Sequence, residues 1–596
     1  MFLATTGLTE FWDTRDELLL LGPWCLRPDR RQVWETLRYQ MLPNPWDDRR
    51  RMYESIDYLE NVHARLLGHL RRHLNATHGL SHSERYWQTV LGPWLLHFLH
   101  AAYDRYVHLR EALDRHPALA TIGLDEQCFQ VPAHTAEAVT GWADDPYNLQ
   151  LMTQLLHRLG YRGSSRRLPG GIFPARSVAR QPAREWWNDL CLVVADVALC
   201  DVYVPRSAVP ALWRRGVRVM SLQPASKTVI PPAQMNDRRT GLGGLPARDH
   251  FEHLAVNLLP QHLPRLFMEG FGRAREELLR RVRRMPPLMV CGSGWFFNEP
   301  VKLLAAEAAE RGTRLVSMQH GGSYGIHRYV AQERHERSVA DRVMVWGWAG
   351  ESDSQLDNVS SPHLALRCAR ASRRPFHARK NVLLVVTSHP RYAYRFHSMP
   401  AGAQWEEYFA WQLRFLEALP PSVRQAVRVR PYPEDYGRRV REQIARRIPD
   451  VGWDASGPLH RRLQQARVAV IDHPTTSWLE ALAANVPTVL FWDPGRWEVR
   501  DEAAGDLDRL RASGLLYDTP EAAAEQLEGI YDRPLTWWRS ESLQAIRRQF
   551  VARYAQSDRG WLDAWGRVLN REVALSRTRR GSGDTVETRT LDAVAS

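Results

Sequence analysis

Lysine is nearly absent from this chain of 596 residues. Of the 80 basic residues only Lys227, Lys302 and Lys380 are lysines, and the rest are arginines. This skew is typical of a GC-rich genome, so the number of arginines says little about function. The formal net charge of +13 still attracts anions such as nucleotide phosphates, anionic lipid head groups or nucleic acid. Because no RRM, zinc-finger or helix-turn-helix motif is found, we expect no nucleic-acid partner.

Cysteine is scarce as well, and long apolar runs are missing. The six cysteines are scattered without a C-x-x-C pair, which argues against a zinc cage and against a disulfide framework. Apolar runs such as 18–21 and 489–492 have strand length and fall far short of the roughly 18 residues of a membrane span. The first residues lack the basic region of a secretory signal. These absences predict a cytoplasmic protein.

The length of the chain predicts two or three domains. A hydrophobic content of 44% and 23 tryptophans favour a well-packed globular protein. Strand-length apolar runs alternate with helix-length segments in two parts of the chain, which predicts an α/β fold of two doubly wound, Rossmann-type domains facing a cleft. The predicted divisions are an N-terminal domain at 1–349 with a helical insertion at about 30–115, an interdomain connection at 350–379, a second domain at 380–534, a helical region at 535–572 and a disordered tail at 573–596.

The segment from Val468 to Trp497 carries the strongest functional signal. An apolar strand at 468–471 is followed by a turn rich in hydroxyl groups and then by a helix. Backbone N–H groups and the helix dipole favour a phosphate there, and a carboxylate one turn into the helix can accept hydrogen bonds from a ribose diol. An ordinary βαβ unit with a Ser/Thr N-cap is the alternative. The predicted donor-binding residues of this segment are His473, Thr475, Thr476, Ser477 and Glu480.

Two other predicted strands of the second domain end in polar groups. Arg430 follows a strand beside a proline and could form a bidentate contact with a donor phosphate. A solvated basic face on an edge strand is the alternative. Ser388 and His389 follow the strand at 381–387, where they could contact donor or acceptor or simply cap a turn.

The N-terminal domain offers a histidine between a predicted strand and two glycines. The glycines let the backbone approach a ligand, and an imidazole suits proton transfer near neutral pH. A glycine turn with a structural histidine is the alternative. The predicted catalytic residue is His320, with Glu333 and Glu299 as competing carboxylates, and the predicted acceptor or cleft residues are Gln319, Gly321, Gly322 and Ser293.

Three groups of motifs resemble known transferases. The block at 480–488, EALAANVPT, resembles the E-x-L-A-x-x-x-P motif of GT-B glycosyltransferases, in which the acidic residue holds the donor ribose. Gln319-His320-Gly321 is similar to the motif of Kdo-type capsule and lipopolysaccharide glycosyltransferases and of CDP-glycerol-type polymerases. Over residues 1–570 the chain resembles a bacterial transferase family found with O-antigen and surface-carbohydrate genes, on the motifs at 2–6, 22–25, 46–49, 85–87, 92–95, 103–106, 319–322 and 493–494.

This resemblance implies a GT-B glycosyltransferase of bacterial envelope polysaccharide assembly. We expect a nucleotide-sugar donor, with a CMP-activated ulosonic acid as one candidate and a UDP- or GDP-sugar as the alternative, and a glycan or lipid-linked acceptor. No D-x-D stands in a convincing loop, so we expect neither a metal ion nor another cofactor. The net positive charge also predicts peripheral contact with an anionic inner membrane. The alternatives are a CDP-glycerol-type phosphotransferase and a non-catalytic carbohydrate-binding scaffold.

Overall fold

The first strands of the protein form a small parallel sheet. The computed structural model describes residues 1–173, 194–205, 207–222, 229–282, 284–368, 375–454 and 456–592. Strands β1 (Phe2–Ala4), β2 (Leu18–Leu20) and β3 (Tyr39–Met41) pair in this order, and β4 (Ile122–Leu124) pairs with β5 (Ser164–Arg166). Strand β3 corrects the prediction that 30–115 is a helical insertion throughout. Its residues are mostly exposed, so they leave no apolar run in the sequence.

The helical insertion itself begins at Arg49. The Asp48 side chain accepts a hydrogen bond from the Arg51 N–H at 3.1 Å, and the first helix ends at Gly79, which is left-handed with φ 65°. The tryptophans of this region are core residues, since Trp87 and Trp94 are fully buried. Its helices are Arg49–His78, Glu84–Val90 and Gly92–Arg115, and Thr135–Trp142 and Asp145–Arg158 pack beside them.

A six-stranded parallel sheet forms the centre of the N-terminal domain. Its strands are β6 (Val197–Cys200), β7 (Val219–Leu222), β8 (Leu288–Cys291), β9 (Arg314–Met318), β10 (Arg342–Val345) and β11 (Leu356–Asn358), in the order β11-β10-β9-β8-β6-β7. Both faces of this sheet are covered: Met289 packs into the core with the helical insertion, and Val290 into a core on the opposite face. The helices of this part are Ala208–Trp213, Asp237–Thr240, His250–His262, Arg265–Met268, Phe271–Arg281, Gly294–Phe297, Glu299–Glu310 and Ala331–Val339.

The predicted connection at 350–379 is only partly a connection. Strand β11 lies within it and pairs with β10, with Val343 opposite Leu356. The N-terminal sheet therefore extends to Asn358, and the helix Pro362–Cys368 follows it. A three-residue strand among polar residues carries too few side chains to be recognised by periodicity.

A second six-stranded parallel sheet forms the C-terminal domain. Its strands are β12 (Val382–Val385), β13 (Val427–Arg430), β14 (Gly452–Trp453), β15 (Val468–Ile471), β16 (Thr488–Phe491) and β17 (Leu516–Tyr517), in the order β14-β13-β12-β15-β16-β17. The direction of winding reverses between β12 and β15, where a doubly wound sheet opens a crevice. The helices are Trp405–Ala418, Pro421–Arg424, Val440–Arg447, Leu459–Gln465, Thr476–Ala483, Asp501–Ala512, Pro520–Ile530, Pro534–Trp538 and Glu541–Tyr554.

The last helix, Trp561–Asp592, returns to the N-terminal domain. Trp561, Trp565, Leu569 and Val573 lie four residues apart and pack in the core of the N-terminal sheet. This arrangement corrects one prediction. The region 535–572 is helical, and its helices are divided between the two domains. The segment after Glu572, predicted to be disordered, continues the last helix to Asp592, and Val573 and Ser576 near its start are buried.

The two parallel sheets face one another across a cleft. The Gly322 N–H, after β9, donates to Thr476 Oγ1, after β15, at 3.1 Å. His327 Nε2 contacts the Pro474 carbonyl oxygen at 3.0 Å. Two doubly wound domains that meet at their carboxyl edges have the GT-B arrangement, and the predicted fold class is confirmed. None of the helices in the described part of the chain has an apolar stretch long enough to cross a membrane.

Candidate functional site

A cavity of about 460 Å³ opens at the carboxyl edge of the C-terminal sheet, at the crevice between β12 and β15. Its volume lies in the range of small-molecule sites. The structure brings together in its walls all eight residues predicted to bind the donor; they are Ser388, His389, Arg430, His473, Thr475, Thr476, Ser477 and Glu480. Their proximity follows from the parallel sheet, whose strand ends meet at one edge. Their role in binding stays a prediction.

Glu480 presents one carboxylate oxygen without a protein partner. Its Oε1 accepts hydrogen bonds from His363 Nε2 at 2.9 Å and from Arg367 Nη1 at 3.1 Å. Its Oε2 is buried and has no hydrogen-bond partner among the described residues. A buried acceptor left unsatisfied costs about 1–3 kcal/mol, so a ligand hydroxyl or a water is expected there.

Asp472, His473 and Ser477 form a hydrogen-bonded chain at the start of the helix Thr476–Ala483. Asp472 Oδ1 accepts from His473 Nδ1 at 2.7 Å, and His473 Nε2 lies 2.8 Å from Ser477 Oγ. Asp472 Oδ2 accepts from Gln412 Nε2 at 3.0 Å. All three members of the chain are buried. The chain fixes the orientation of the Ser477 hydroxyl at a helix N-terminus, where an anion is favoured.

Three more buried polar atoms in the cavity wall lack partners within the described parts of the chain: Ser388 Oγ, His389 Nε2 and His397 Nδ1. Burial lowers the pKa of His389 to about 3, because the charged imidazolium is poorly solvated there. Burial likewise holds the pKa of His397 well below its usual value. Both imidazoles are therefore neutral hydrogen-bonding groups near neutral pH.

Arg430 lines the cavity but already has protein partners. Its Nη1 forms an ion pair with Asp454 Oδ2 at 2.8 Å, and its Nη2 donates to the Gly457 carbonyl oxygen at 2.7 Å. A bidentate contact with a phosphate would therefore compete with Asp454 for the guanidinium.

His320 lies beside a carboxylate that sequence reasoning missed. Its Nε2 lies 2.9 Å from Glu336 Oε1 and 2.8 Å from the Tyr324 hydroxyl, which also donates to Glu336 Oε1 at 2.8 Å. Ser317 Oγ donates to Glu336 Oε2 at 2.7 Å. Glu336 is fully buried, whereas the His320 side chain is 17% exposed. A buried carboxylate that accepts from one ring nitrogen orients the imidazole and leaves Nδ1 as the proton acceptor.

The two competing carboxylates have other partners. Glu333 Oε2 accepts from Arg500 Nη2 at 2.9 Å and from the Gly325 N–H at 3.1 Å. Glu299 accepts from the Thr135 N–H at 2.9 Å and pairs with Lys302 Nζ at 2.7 Å. That either of them is the true base stays a prediction, and the carboxylate that contacts His320 is Glu336. Glu336 follows Glu333 by three residues on the helix Ala331–Val339, and no local pattern distinguishes them.

The predicted acceptor residues contact protein groups. Gln319 is fully buried, and its Oε1 accepts from the Trp346 N–H and from Trp348 Nε1, both at 2.9 Å. A Cβ on Gly322 would lie 2.4 Å from the Thr475 carbonyl oxygen, so this glycine permits close contact between the domains. Gly321 accepts from Gln319 Nε2 at 2.8 Å through its carbonyl oxygen. Ser293 lies half-buried at the end of β8, outside the cavity wall.

The loop after β12 supplies cavity residues that sequence reasoning missed. Tyr392, Tyr394, Arg395 and His397 belong to the cavity wall. The Phe396 N–H donates to His100 Nδ1 at 2.9 Å, and this contact holds the loop against the helical insertion. The place of this loop in the cavity wall depends on contacts between residues that are hundreds of positions apart, and a single sequence does not reveal such contacts.

Asp145 is the main anchor of this loop. It accepts from the Tyr392 hydroxyl at 2.5 Å and pairs with Arg391 and with Arg27. It also accepts from the Gly7 N–H at 2.8 Å. Complete burial favours the neutral acid and is the largest single effect, but the charges of Arg391 and Arg27 and the hydrogen bonds from Arg391 and Tyr392 together outweigh it and lower the pKa of Asp145 below its usual value.

Residues 1–569 match the model of the LIC12162 family transferases. The chain belongs to this family. A search of curated proteins found no significant match. Within the described ranges, no group of three or more His, Cys, Asp or Glu side chains is placed to hold a metal ion.

Solved structures similar to this member of the LIC12162 family share little sequence with it. A protein described as a UDP-N-acetylglucosamine 2-epimerase of Listeria monocytogenes is 9% identical, with 62% of this chain and 94% of that chain covered and a TM-score of 0.35. The wall teichoic acid polymerase TagF is 10% identical, with coverages of 64% and 89% and a TM-score of 0.31. WaaG, a glycosyltransferase involved in lipopolysaccharide biosynthesis, is 12% identical, with coverages of 63% and 99% and a TM-score of 0.29.

Proposed function

We propose that this transferase is a glycosyltransferase that moves a sugar from a nucleotide-activated donor to a glycan or lipid-linked acceptor. The observation that carries the proposal is the cavity between β12 and β15, where a helix N-terminus stands beside the unpaired Oε2 of Glu480. The helix N-terminus suits a phosphate, and the Glu480 carboxylate oxygen suits a ribose diol. The donor nucleotide lies across this edge, with its phosphate at Thr475, Thr476 and Ser477.

The proposed reaction uses His320 as the base. An acceptor hydroxyl oxygen attacks the anomeric carbon of the donor sugar, and the bond between this carbon and the phosphate oxygen breaks. His320 Nδ1 takes the proton of the hydroxyl, and Glu336 stabilises the imidazolium through Nε2. The nucleotide leaves with the bonding electron pair, and the helix N-terminus and Arg430 stabilise its negative charge.

No metal ion is required in this proposal, because the helix N-terminus and the arginines supply the positive field. Activity that survives incubation with EDTA would support this part, and activity restored only by an added divalent cation would contradict it.

The biological setting is assembly of O-antigen, capsule or another envelope polysaccharide, on the cytoplasmic side of the inner membrane. The Gln319-His320-Gly321 motif favours a CMP-activated ulosonic acid as donor. The net charge of +13 favours peripheral contact with anionic lipids.

Donor cleavage by the purified protein tests the proposal. The protein is incubated with CMP-, UDP- and GDP-sugars and with CDP-glycerol, and the products are separated by mass. Free sugar plus nucleotide supports glycosyl transfer. Glycerol phosphate plus CMP identifies a phosphotransferase instead, and nucleotide binding without cleavage, with or without acceptors, identifies a non-catalytic carbohydrate-binding protein.

A further inference from the structure

Four aromatic side chains lie along the mouth of the cavity and extend from it onto the N-terminal domain. We call Phe297, Tyr394, Tyr432 and Tyr436 the aromatic strip. The three tyrosines belong to the cavity wall, and Phe297 follows β8 on the facing domain. Tyr432 is 44% exposed and Phe297 41% exposed, so both rings are accessible to a ligand.

A buried histidine joins the two domains within the strip. The Tyr394 ring stacks on His97 at a centroid distance of 5.6 Å and an interplanar angle of 2°, and Phe297 packs on the same imidazole at 5.8 Å. Burial lowers the pKa of His97 to about 3, so its ring is neutral and acts as a packing group. Phe297 and Tyr394 therefore have fixed positions relative to one another.

The other end of the strip is held by an unusual backbone. The rings of Tyr432 and Tyr436 stack at 6.2 Å and 18°. Tyr436 has φ 52° and Arg439 φ 50°, in the left-handed region that side chains other than glycine rarely adopt. Arg438, between them, donates to the Pro390 carbonyl oxygen at 3.1 Å and to the Gly402 carbonyl oxygen at 3.2 Å. Strained backbone that is held so firmly is common at ligand sites.

We propose that the aromatic strip binds sugar rings of the acceptor, an inference that rests on the proposed glycosyl transfer. A pyranose has an apolar C–H face bordered by hydroxyl groups, and it needs a flat apolar partner with hydrogen-bonding groups at the rim. The tyrosine rings supply the face, and their hydroxyls with Arg395, which also lines the cavity, supply the rim. A lipid chain would offer these polar groups no hydrogen-bonding partner. The strip leads to the cavity, where the acceptor hydroxyl must meet the donor.

The test uses an array of purified bacterial capsule and lipopolysaccharide oligosaccharides. The wild-type protein should bind at least one of them, and Tyr432→Ala and Phe297→Ala should each weaken that binding tenfold or more. Tyr432→Phe, which keeps the ring, should retain most of the affinity. Tyr39→Ala is the matched control, because Tyr39 is 38% exposed and lies on β3, away from the cavity.

A second measurement separates this proposal from the proposed function. Nucleotide affinity, measured by calorimetry with CMP, UDP and GDP, should be unchanged in Phe297→Ala. If the wild type binds and cleaves a nucleotide-sugar but no oligosaccharide of the array, the strip proposal is wrong while the transferase assignment stands. An equal loss of oligosaccharide affinity in Tyr39→Ala and Tyr432→Ala would also overturn the strip proposal. The same holds if the Tyr432→Ala and Phe297→Ala variants keep oligosaccharide binding but lose binding to phosphatidylglycerol vesicles.

Discussion

Glu336 accepts a hydrogen bond from His320 Nε2 at 2.9 Å, and the carboxylate is fully buried while the imidazole is 17% exposed. A carboxylate placed behind a histidine fixes which ring nitrogen carries the proton. His320 is thereby prepared to accept a proton at Nδ1, and Glu336 acts through it as a positioning residue.

We predict that Glu336→Gln lowers kcat by about 10- to 100-fold or more, since replacing the carboxylate that orients a metal-bound histidine costs about this much and replacing one behind a catalytic histidine can cost more. His320→Ala should lower kcat by about a hundredfold or more. Donor affinity should stay the same in both, since neither side chain belongs to the cavity wall. Glu333→Gln is the matched control, because Glu333 pairs with Arg500 and should affect stability rather than kcat. Wild-type kcat in Glu336→Gln would contradict the assignment.

Glu480→Ala should weaken nucleotide binding by roughly 1.5–3 kcal/mol, the cost of losing a hydrogen bond to a charged group. Isothermal titration with CMP, UDP and GDP measures this loss. Glu480→Gln should bind more weakly than the wild type but better than Glu480→Ala, because the amide keeps one oxygen. Wild-type affinity in both variants would remove Glu480 from the donor site.

Arg430→Lys should lower turnover, since an ammonium group cannot bind Asp454 and a phosphate with the planar fork of a guanidinium. Steady-state kinetics with saturating acceptor measure this effect. Arg428→Lys, on the same strand, is the control and should behave like the wild type. Full activity of Arg430→Lys would show that Arg430 only supports the loop at Asp454.

Asp145→Asn should destabilise the fold by about 3–5 kcal/mol at neutral pH, as breaking a buried ion pair usually does. The pKa of Asp145 is lowered in the folded protein, so the folded state binds fewer protons than the unfolded state. The stability that the Asp145 carboxylate contributes is complete above its unfolded pKa of about 3.9 and is lost as pH falls through its folded pKa. Denaturant unfolding should therefore show that the difference in unfolding free energy between wild type and variant becomes smaller below about pH 4. A gap independent of pH would contradict this account.

Asp341→Asn provides a comparison for the same change. Asp341 also pairs with an arginine and also has a lowered pKa, but it contacts Arg85 rather than the cavity loop. The Asp341→Asn variant should be less stable than the wild type but bind nucleotide equally well. Asp145→Asn should be less stable and also bind nucleotide more weakly, because Arg391 and Tyr392 would no longer be held.

Gly322→Ala should lower nucleotide affinity by displacing the start of the helix Thr476–Ala483. Its added Cβ would lie 2.4 Å from the Thr475 carbonyl oxygen, a distance that requires the backbone to move. Gly321→Ala is the matched control, because its Cβ would meet Tyr324 at an ordinary 3.7 Å. Equal affinity of the two variants, measured by the same titration, would show that this contact does not shape the cavity.

The sequence predicts the groups that follow a strand directly and misses those brought in from a distance. Ser388, Arg430 and His473 could be placed at one edge because Arg430 ends β13 and the other two follow β12 and β15, all strands whose apolar residues are visible in the sequence. Asp145 and Glu336 could not, since each is defined by contacts with residues of other elements. The short strand β11 was missed for a related reason: it is held by pairing with β10, and three residues leave no periodic pattern of their own.

The helix Trp561–Asp592 has a consequence for how the chain folds. Its tryptophans complete a core whose other members, such as Val197 and Leu288, are synthesised far earlier. During translation, that face of the N-terminal sheet stays open to solvent until almost the whole chain has left the ribosome. A truncation before Trp561 should therefore yield a protein that aggregates through its N-terminal half, even though that half contains no deleted residue.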